Sequence, residues 1–195
     1  YDFRVDDGTM IKLLEETKKY GGLVQVHAEN VHIIDHMNQV LAKEGKLEPY
    51  YHAVSRPNIA EEEAIYRASK MVEMTGSRIY IVHLSSKEGL WIVKQARDRG
   101  VDVYAETCPQ YLTLTQEIIE ERGALAKIGP PIRSAADRTA VTSASTSSRI
   151  SHNCSACWLD WQITASATWP SSISAPSTAM NCSSSRSASS ARRAR

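Results

Sequence analysis

Two short stretches decide the fold that we expect for this chain: residues 23–30 read LVQVHAEN, and residues 79–86 read IYIVHLSS. Each stretch opens with a run of apolar, largely β-branched residues, which is typical of a buried strand, and each run closes on a histidine followed by polar residues. A third run at residues 101–105, VDVYA, has the same character. The sequence therefore predicts three buried strands, of which the first two end on His27 and His83.

Amphipathic helices are predicted around and between these strands, because apolar residues recur there at intervals of three and four. They cover residues 10–20, 31–42, 60–73 and about 86–99, and a glycine follows each of them within a few residues. Glycine just beyond a helix is the usual termination signal. The alternation of strand and helix implies parallel strands joined by right-handed crossovers, and hence an α/β fold.

An α/β order of this kind fits either an open doubly wound sheet or a (β/α)8 barrel. An open sheet that binds a dinucleotide carries a glycine-rich turn after its first strand, and this sequence has none. In a barrel the reactive groups gather at the carboxyl ends of the strands, which is where His27 and His83 fall. We therefore expect a partial (β/α)8 TIM barrel.

The composition of the chain changes abruptly near Arg138. Residues 139–195 contain no Lys, Glu, Gly or Tyr, and they hold five Arg against a single Asp. Such a segment has too little apolar periodicity to offset a chain entropy of ~1–2 kcal/mol per residue. We expect residues 1–138 to be the central part of a barrel and residues 139–195 to be a disordered tail. Translation in a wrong reading frame explains the tail better than a natural arginine-serine segment does, because three tryptophans are unusual in a disordered linker.

The global composition excludes several classes of function. A net charge of +1 gives no reason to expect a nucleic acid or an anionic membrane as partner. No apolar run approaches the ~20 residues that a membrane span requires, and no signal peptide opens the chain. The missing initiator Met predicts a true start further upstream. Only Cys108 lies in the body of the chain, so no disulfide framework is expected and the cytoplasm is the predicted location.

Five side chains near the strand ends are candidates for chemistry. His27 and His83 occupy equivalent positions after two strands, and neutral imidazole is the commonest zinc ligand. The alternative is two unrelated buried histidines in separate hydrogen-bond networks. Glu29 and Glu106 are candidate acids or partners of the ligands, with helix caps or salt bridges as the alternative. Cys108 precedes a proline and has no evident base, so we interpret it as a structural thiol.

At these residues the sequence resembles the dihydropyrimidinase/hydantoinase family of cyclic amidohydrolases. The resemblance covers residues 1 to about 138, in the family's order and spacing. The stretches that carry it are VDDGT (5–9), GLVQVHAEN (22–30), YHAVSRP (51–57), IVHL (81–84), ETCPQYL (106–112) and GPPIR (129–133).

This resemblance implies a metal-dependent hydrolase that opens dihydropyrimidine or hydantoin rings, so the expected partner is a small cyclic amide. Family members are homotetramers of (β/α)8 barrels with two zinc ions per subunit, bridged by a carboxylated lysine. By the same resemblance, His27 and His83 hold the second metal ion. Gly129 takes the place of a serine that binds substrate through its backbone.

Other parts of the family's site are missing from the sequence, so no residue here is assigned a catalytic role. The bridging lysine and the histidine pair of the first metal ion should precede Tyr1. The aspartate ligand should follow Arg133, but the sequence leaves the family pattern near Ala140. We therefore expect this chain on its own to be inactive.

Two related functions remain as alternatives. Allantoinases share the histidine motifs and a similar Pro-Pro-Ile-Arg segment, and Asn30 and Gln110 favour hydantoinase over them. Non-catalytic relatives that serve as scaffold proteins tend to lose metal ligands, whereas both histidines are present here. An enzymatic ancestry is therefore favoured.

Overall fold

The computed structural model describes residues 4–146 of the 195-residue chain. These residues form eight α-helices, one short 3-10 helix and three β-strands. In chain order the elements are α1 (Asp7–Lys19), β1 (Val24–Val26), α2 (Val31–Lys43), α3 (Tyr50–Val54), α4 (Asn58–Thr75), β2 (Arg78–Ile81), α5 (Lys87–Asp98), β3 (Asp102–Ala105), α6 (Pro109–Thr113), α7 (Glu117–Arg122), the 3-10 helix (Gly123–Ala126) and α8 (Ala135–Thr146).

The three strands form one parallel sheet in the order β1-β2-β3. Val26 pairs with Ile81 and Ile81 pairs with Ala105, so the carboxyl ends of all three strands lie at one edge. Helices α2, α3 and α4 lie between β1 and β2 in the sequence, and α5 lies between β2 and β3. The predicted α/β fold with parallel strands is confirmed.

The core lies between the sheet and helices α1, α4, α5 and α8. Ile79, Ile81 and Val103 from the strands are at most 2% exposed, and Ile65 and Val72 from α4 are at most 1% exposed. Full burial of a side chain of this size contributes about 1.5–3 kcal/mol relative to an exposed one. The alternation of buried and exposed residues along β2 and β3 is what fixes the register of the sheet.

Helix α8 corrects the predicted boundary at residue 138. It continues to Thr146, and Val141 is fully buried in the same core as the sheet residues. The prediction that the chain stops packing near residue 140 is therefore wrong for residues 139–146. Asp137 and Val141 are four residues apart on one face of α8 and both are buried. A single buried valine among small residues is therefore enough to pack this helix against the core. The predicted disorder of residues 147–195 lies outside the described residues.

A short helix and a helix cap lie in the segments between the long helices. The stretch Tyr50–Val54, for which no helix was predicted, forms the short helix α3. Ser86 caps α5, because its Oγ accepts a hydrogen bond from the Gly89 amide at 3.1 Å. Within residues 4–146, no helix combines the length and the apolar character that crossing a membrane requires.

Candidate metal centre

The parallel register brings His27 and His83 to the same edge of the sheet. The carbonyl of Val26, the last residue of β1, accepts a hydrogen bond from the Val82 amide at 3.2 Å. The two strand segments are therefore still paired at the residues directly before His27 and His83. His83 has a φ of 44°, in the left-handed region that side chains other than glycine rarely adopt. That conformation turns the chain directly after β2 and sets the direction of the His83 side chain.

The two imidazole rings face each other through one nitrogen each. Nδ1 of His27 lies 3.0 Å from Nε2 of His83, with ring centroids 4.8 Å apart and ring planes at 69°. Zn–N bonds of about 2.0–2.1 Å in tetrahedral geometry place two ligand nitrogens roughly 3–3.5 Å apart. The pair therefore has the spacing that two ligands of one metal ion require. The alternative of two separate hydrogen-bond networks does not describe these rings.

The surroundings of His83 suit a neutral ligand. Burial, assisted by the nearby His27, lowers the pKa of His83 to about 4, so the ring is neutral at physiological pH. Its Nδ1 is buried and makes no hydrogen bond to another described residue. Among residues 4–146, no third His, Cys, Asp or Glu joins the pair in a group that could hold a metal ion. These two donors fit a metal ion, and the remaining donors are not supplied by the described part of the chain.

Glu29 lies behind His27 and is almost completely buried. Its side chain is 3% exposed, and its Oε2 lies 3.1 Å from Nε2 of His27 and 3.6 Å from Nε of Arg56. Its Oε1 faces Nη2 of Arg133 at 3.9 Å. Burial by itself would raise the pKa of Glu29, but the hydrogen bond from His27 and the charges of His27, Arg56 and Arg133 outweigh burial and lower that pKa.

Glu61, from the first turn of α4, is a second buried carboxylate and binds the loop that follows His83. Its carboxylate is 2% exposed and accepts hydrogen bonds from the Ser85 amide (2.9 Å), the Ser85 hydroxyl (3.0 Å) and the Ser86 amide (2.8 Å). Arg133 donates to the Ser85 hydroxyl at 3.0 Å and places Nη2 3.7 Å from Glu61. Burial raises the pKa of Glu61 even though Arg133 and these donors oppose the shift.

Glu29, Arg56, Glu61 and Arg133 thus form one buried charge cluster that connects both histidine loops. Arg133 stands at its centre, because its guanidinium also donates to the backbone carbonyl of Arg56. Neither Glu61 nor the role of Arg133 was predicted from the sequence. The signal for Glu61 was present, since it lies on the apolar face of α4 with Ile65 and Val72, where a carboxylate is out of place unless it is paired.

Gly129 lies in a loop that is held from both sides. The carbonyl of Ile128 accepts a hydrogen bond from Nε2 of His52 at 2.8 Å, and the carbonyl of Pro130 accepts one from the buried hydroxyl of Tyr111 at 2.6 Å. Arg133, four residues after Gly129, connects this loop to the buried charge cluster. A role of Gly129 in substrate binding stays a prediction.

The remaining candidates, Glu106 and Cys108, have other contact partners than the two histidines. Glu106, directly after β3, accepts a hydrogen bond from the Tyr80 hydroxyl at 2.9 Å. Burial and this bond raise the pKa of Tyr80 to about 12. Cys108 is partly buried just before α6, and burial raises the pKa of its thiol, which agrees with a structural thiol rather than a nucleophile.

The fold and these side chains define a class of protein: a parallel α/β unit that presents candidate metal ligands at the carboxyl ends of neighbouring strands. Comparison with known proteins makes the class more specific, although no protein-family profile matches the chain. D-hydantoinase from Geobacillus stearothermophilus is 41% identical over 134 residues, which is 67% of this chain and 28% of the relative. Allantoinase from Escherichia coli is 39% identical over 133 residues, or 68% of this chain and 29% of the relative.

Structural comparison gives the same result. The crystal structure of dihydropyrimidinase from Brevibacillus agri NCHU1002 superposes with a TM-score of 0.67 at 39% identity, covering 69% of this chain and 30% of that one. The matched part of this chain belongs to the dihydropyrimidinase/hydantoinase family. The chain spans about three tenths of the length of the relatives that it matches.

Proposed function

We propose that this chain is the central part of a (β/α)8-barrel cyclic amidohydrolase, and that it carries two ligands of a catalytic metal ion. The observation that carries the proposal is the 3.0 Å separation of the facing nitrogens of His27 and His83 at the carboxyl edge of parallel strands. The three strands would be consecutive strands of the barrel. About 40% identity to hydantoinases over two thirds of the chain supports the same assignment.

In this proposal His27 and His83 hold zinc through the nitrogens that face each other. A bound zinc ion would polarise the ring amide of the substrate and lower the pKa of a water molecule. The lowered pKa of His83 keeps its ring unprotonated and available as a ligand. The backbone of Gly129 would bind the cyclic amide, because its loop is fixed through Ile128 and Pro130 rather than free.

The substrate class that we propose is a dihydropyrimidine or a hydantoin. The resemblance extends the proposal to two zinc ions per subunit, a homotetramer and a cytoplasmic location. It also leaves this chain without the bridging lysine, the first-metal histidines and the aspartate. Because a binuclear site without its bridge cannot hold the attacking water, the chain alone should hydrolyse neither dihydrouracil, hydantoin nor allantoin.

Allantoin is the second candidate substrate, since the identity to allantoinase is nearly as high as that to D-hydantoinase. Asn30 has a local structural role, because its Oδ1 accepts the His32 amide at 2.9 Å as the cap of α2 and its Nδ2 donates to Glu63. That role accounts for Asn30 without reference to substrate, so the preference for hydantoinase depends on Gln110 and on the identities. The scaffold alternative is disfavoured by the facing geometry of both histidines.

The decisive experiment begins with the encoding DNA. Reading all frames upstream of codon 1 and beyond codon 138 should recover the missing lysine, the His-x-His pair and a Gly-Ser-Asp-His-like segment. The intact protein should then hydrolyse dihydrouracil or hydantoin with a higher kcat/KM than allantoin. The reverse order would replace the first candidate by the second.

The metal ligands are tested in the same intact protein. His27→Ala and His83→Ala should each remove about one zinc ion per subunit and nearly all activity. His36→Ala is the matched control, because His36 is exposed on α2. Full zinc content in both ligand variants would contradict the proposal.

A further inference from the structure

We propose that Glu29 is a positioning residue that fixes the tautomer of His27, so that the lone pair of His27 Nδ1 is presented toward His83. This inference rests on the proposed metal site. It concerns which nitrogen of His27 carries the proton, and therefore whether Nδ1 has a free lone pair to bind the metal ion.

The two sides of the His27 ring have different neighbours. Nε2 lies 3.1 Å from Oε2 of Glu29, and Nδ1 lies 3.0 Å from Nε2 of His83. A neutral imidazole has one N–H and one lone pair, and the partner of one nitrogen decides the state of the other. Because the carboxylate accepts at Nε2, the proton of His27 resides there and Nδ1 is left with its lone pair. That is the form in which a histidine binds metal.

Burial and two cations hold Glu29 beside His27. Its side chain is 3% exposed, and its other near neighbours are Nε of Arg56 at 3.6 Å and Nη2 of Arg133 at 3.9 Å. Arg133 is itself held by its hydrogen bond to the Ser85 hydroxyl. The backbone next to Glu29 is fixed as well, since the Asn30 amide donates to the carbonyl of Ala60 at 2.8 Å.

The contact partners also set the direction of the hydrogen bond. Both guanidinium groups are obligate donors, so the oxygens of Glu29 face cations on one side and His27 on the other. In the chain without metal, His83 Nε2 then donates to His27 Nδ1, which accounts for the 3.0 Å separation of the two nitrogens. A metal ion would take the place of that shared proton.

The test uses the 195-residue chain and nitrogen-15 NMR of the histidine rings without metal. In the wild type, His27 should show a protonated Nε2 and an unprotonated Nδ1. Glu29→Ala should convert His27 into a mixture of both tautomers. Glu106→Ala is the matched control, because Glu106 also follows a strand end but binds Tyr80 instead of a histidine. It should leave the His27 signals unchanged.

Zinc affinity gives a second readout. In a titration with zinc chloride, Glu29→Ala should weaken binding about 10–100-fold relative to the wild type, as the loss of such a partner usually does. Glu29→Gln keeps the volume of the side chain beside Arg133 and protects against a folding defect. It should also weaken zinc binding, compared with the wild type at a temperature at which both proteins are folded.

An unchanged His27 tautomer in folded Glu29→Ala protein would overturn the inference, and so would unchanged zinc affinity in both variants. Full zinc content in the His27→Ala and His83→Ala variants of the intact protein would refute the metal site, whereas a His27 tautomer that still responds to Glu29→Ala would support the positioning contact. The two proposals therefore fail in different ways.

Discussion

Replacing Glu61 by alanine should destabilise the fold by about 3–5 kcal/mol, although Glu61 contacts neither histidine ring. The carboxylate accepts three hydrogen bonds of 2.8–3.0 Å from Ser85 and Ser86 and lies 3.7 Å from Arg133. Hydrogen bonds to a charged group contribute roughly 1.5–3 kcal/mol each, and the cost of burying the carboxylate offsets part of that sum. The variant also leaves two buried amides and a guanidinium poorly paired.

The assay is urea unfolding at neutral pH, followed by circular dichroism, with Glu62→Ala as the control. Glu62 is the next residue of the same helix, is only half-buried, and should change stability by no more than about 0.5 kcal/mol. A double-mutant cycle with Arg133→Met separates the ion pair from the hydrogen bonds. Its coupling energy should fall between about 0.5 and 3 kcal/mol.

A Glu61→Ala variant that loses no more stability than Glu62→Ala would refute this reasoning. It would mean that water replaces the carboxylate beneath the loop, and that the buried charge cluster does not hold the two histidine loops together. A coupling energy near zero would mean that Arg133 does not contribute to the stabilising effect of Glu61. The hydrogen bonds from Ser85 and Ser86 would then account for that effect alone.

Three further predictions test other parts of the structure. Burial lowers the pKa of His52 below its ordinary value of 6.5, so the unfolded chain binds a proton that the folded chain does not. The free energy of unfolding should therefore fall as the pH drops through about 6.5. Urea unfolding of His52→Gln at a series of pH values should lack this contribution to the pH dependence. Val141→Ala should cost about 2–3 kcal/mol in urea unfolding against little for the exposed Thr139→Ala, and equal losses would contradict the packing of α8. Gly129→Ser should leave the unfolding midpoint nearly unchanged because no atom lies within 4 Å of an added Cβ, whereas Gly89→Ala should lower it, since its Cβ would lie 2.9 Å from Ile65 Cδ1.

The strands and the histidine pair were predictable from the sequence because their signals are local. A β-branched run that stops at a histidine specifies both a buried strand and the point where it ends, and parallel pairing then fixes which strand ends meet. The four long helices α1, α2, α4 and α5 were equally predictable from their periodicity, so that the helix expected at 60–73 occupies Asn58–Thr75. Their ends depend on caps and on tertiary contacts, which explains shifts of up to three residues, as at Asp7, where α1 begins.

The buried charge cluster was not predictable in the same way. Glu29 and Arg133 are far apart in the sequence, and no local pattern indicates that their side chains meet beside Glu61. Helix α8 escaped prediction for a different reason. Its composition of Ala, Ser and Thr hides a single buried valine, Val141, so the compositional break near residue 138 was mistaken for the end of the folded region.

The charges around the histidine pair lead to a final prediction, which concerns how strongly this chain binds zinc. His27 and His83 contribute two imidazole donors, and the nearby carboxylates of Glu29 and Glu61 are already opposed by two guanidinium groups. The centre therefore offers lone pairs in the right geometry but no uncompensated negative charge to attract a divalent cation.

In the intact family site, the resemblance assigns that charge to a carboxylated lysine outside this sequence. The purified chain should accordingly retain little zinc after dialysis, as measured by metal analysis, and zinc chloride should bind it only weakly. Addition of zinc should still perturb the NMR signals of His27 and His83 before those of the exposed His36, because within residues 4–146 only this pair presents two imidazole nitrogens 3.0 Å apart. Stoichiometric zinc that survives dialysis would show that the described residues complete the site by themselves. In that case the negative charge of Glu29 would have to attract the metal ion, and Arg56 and Arg133 could not be neutralising it fully.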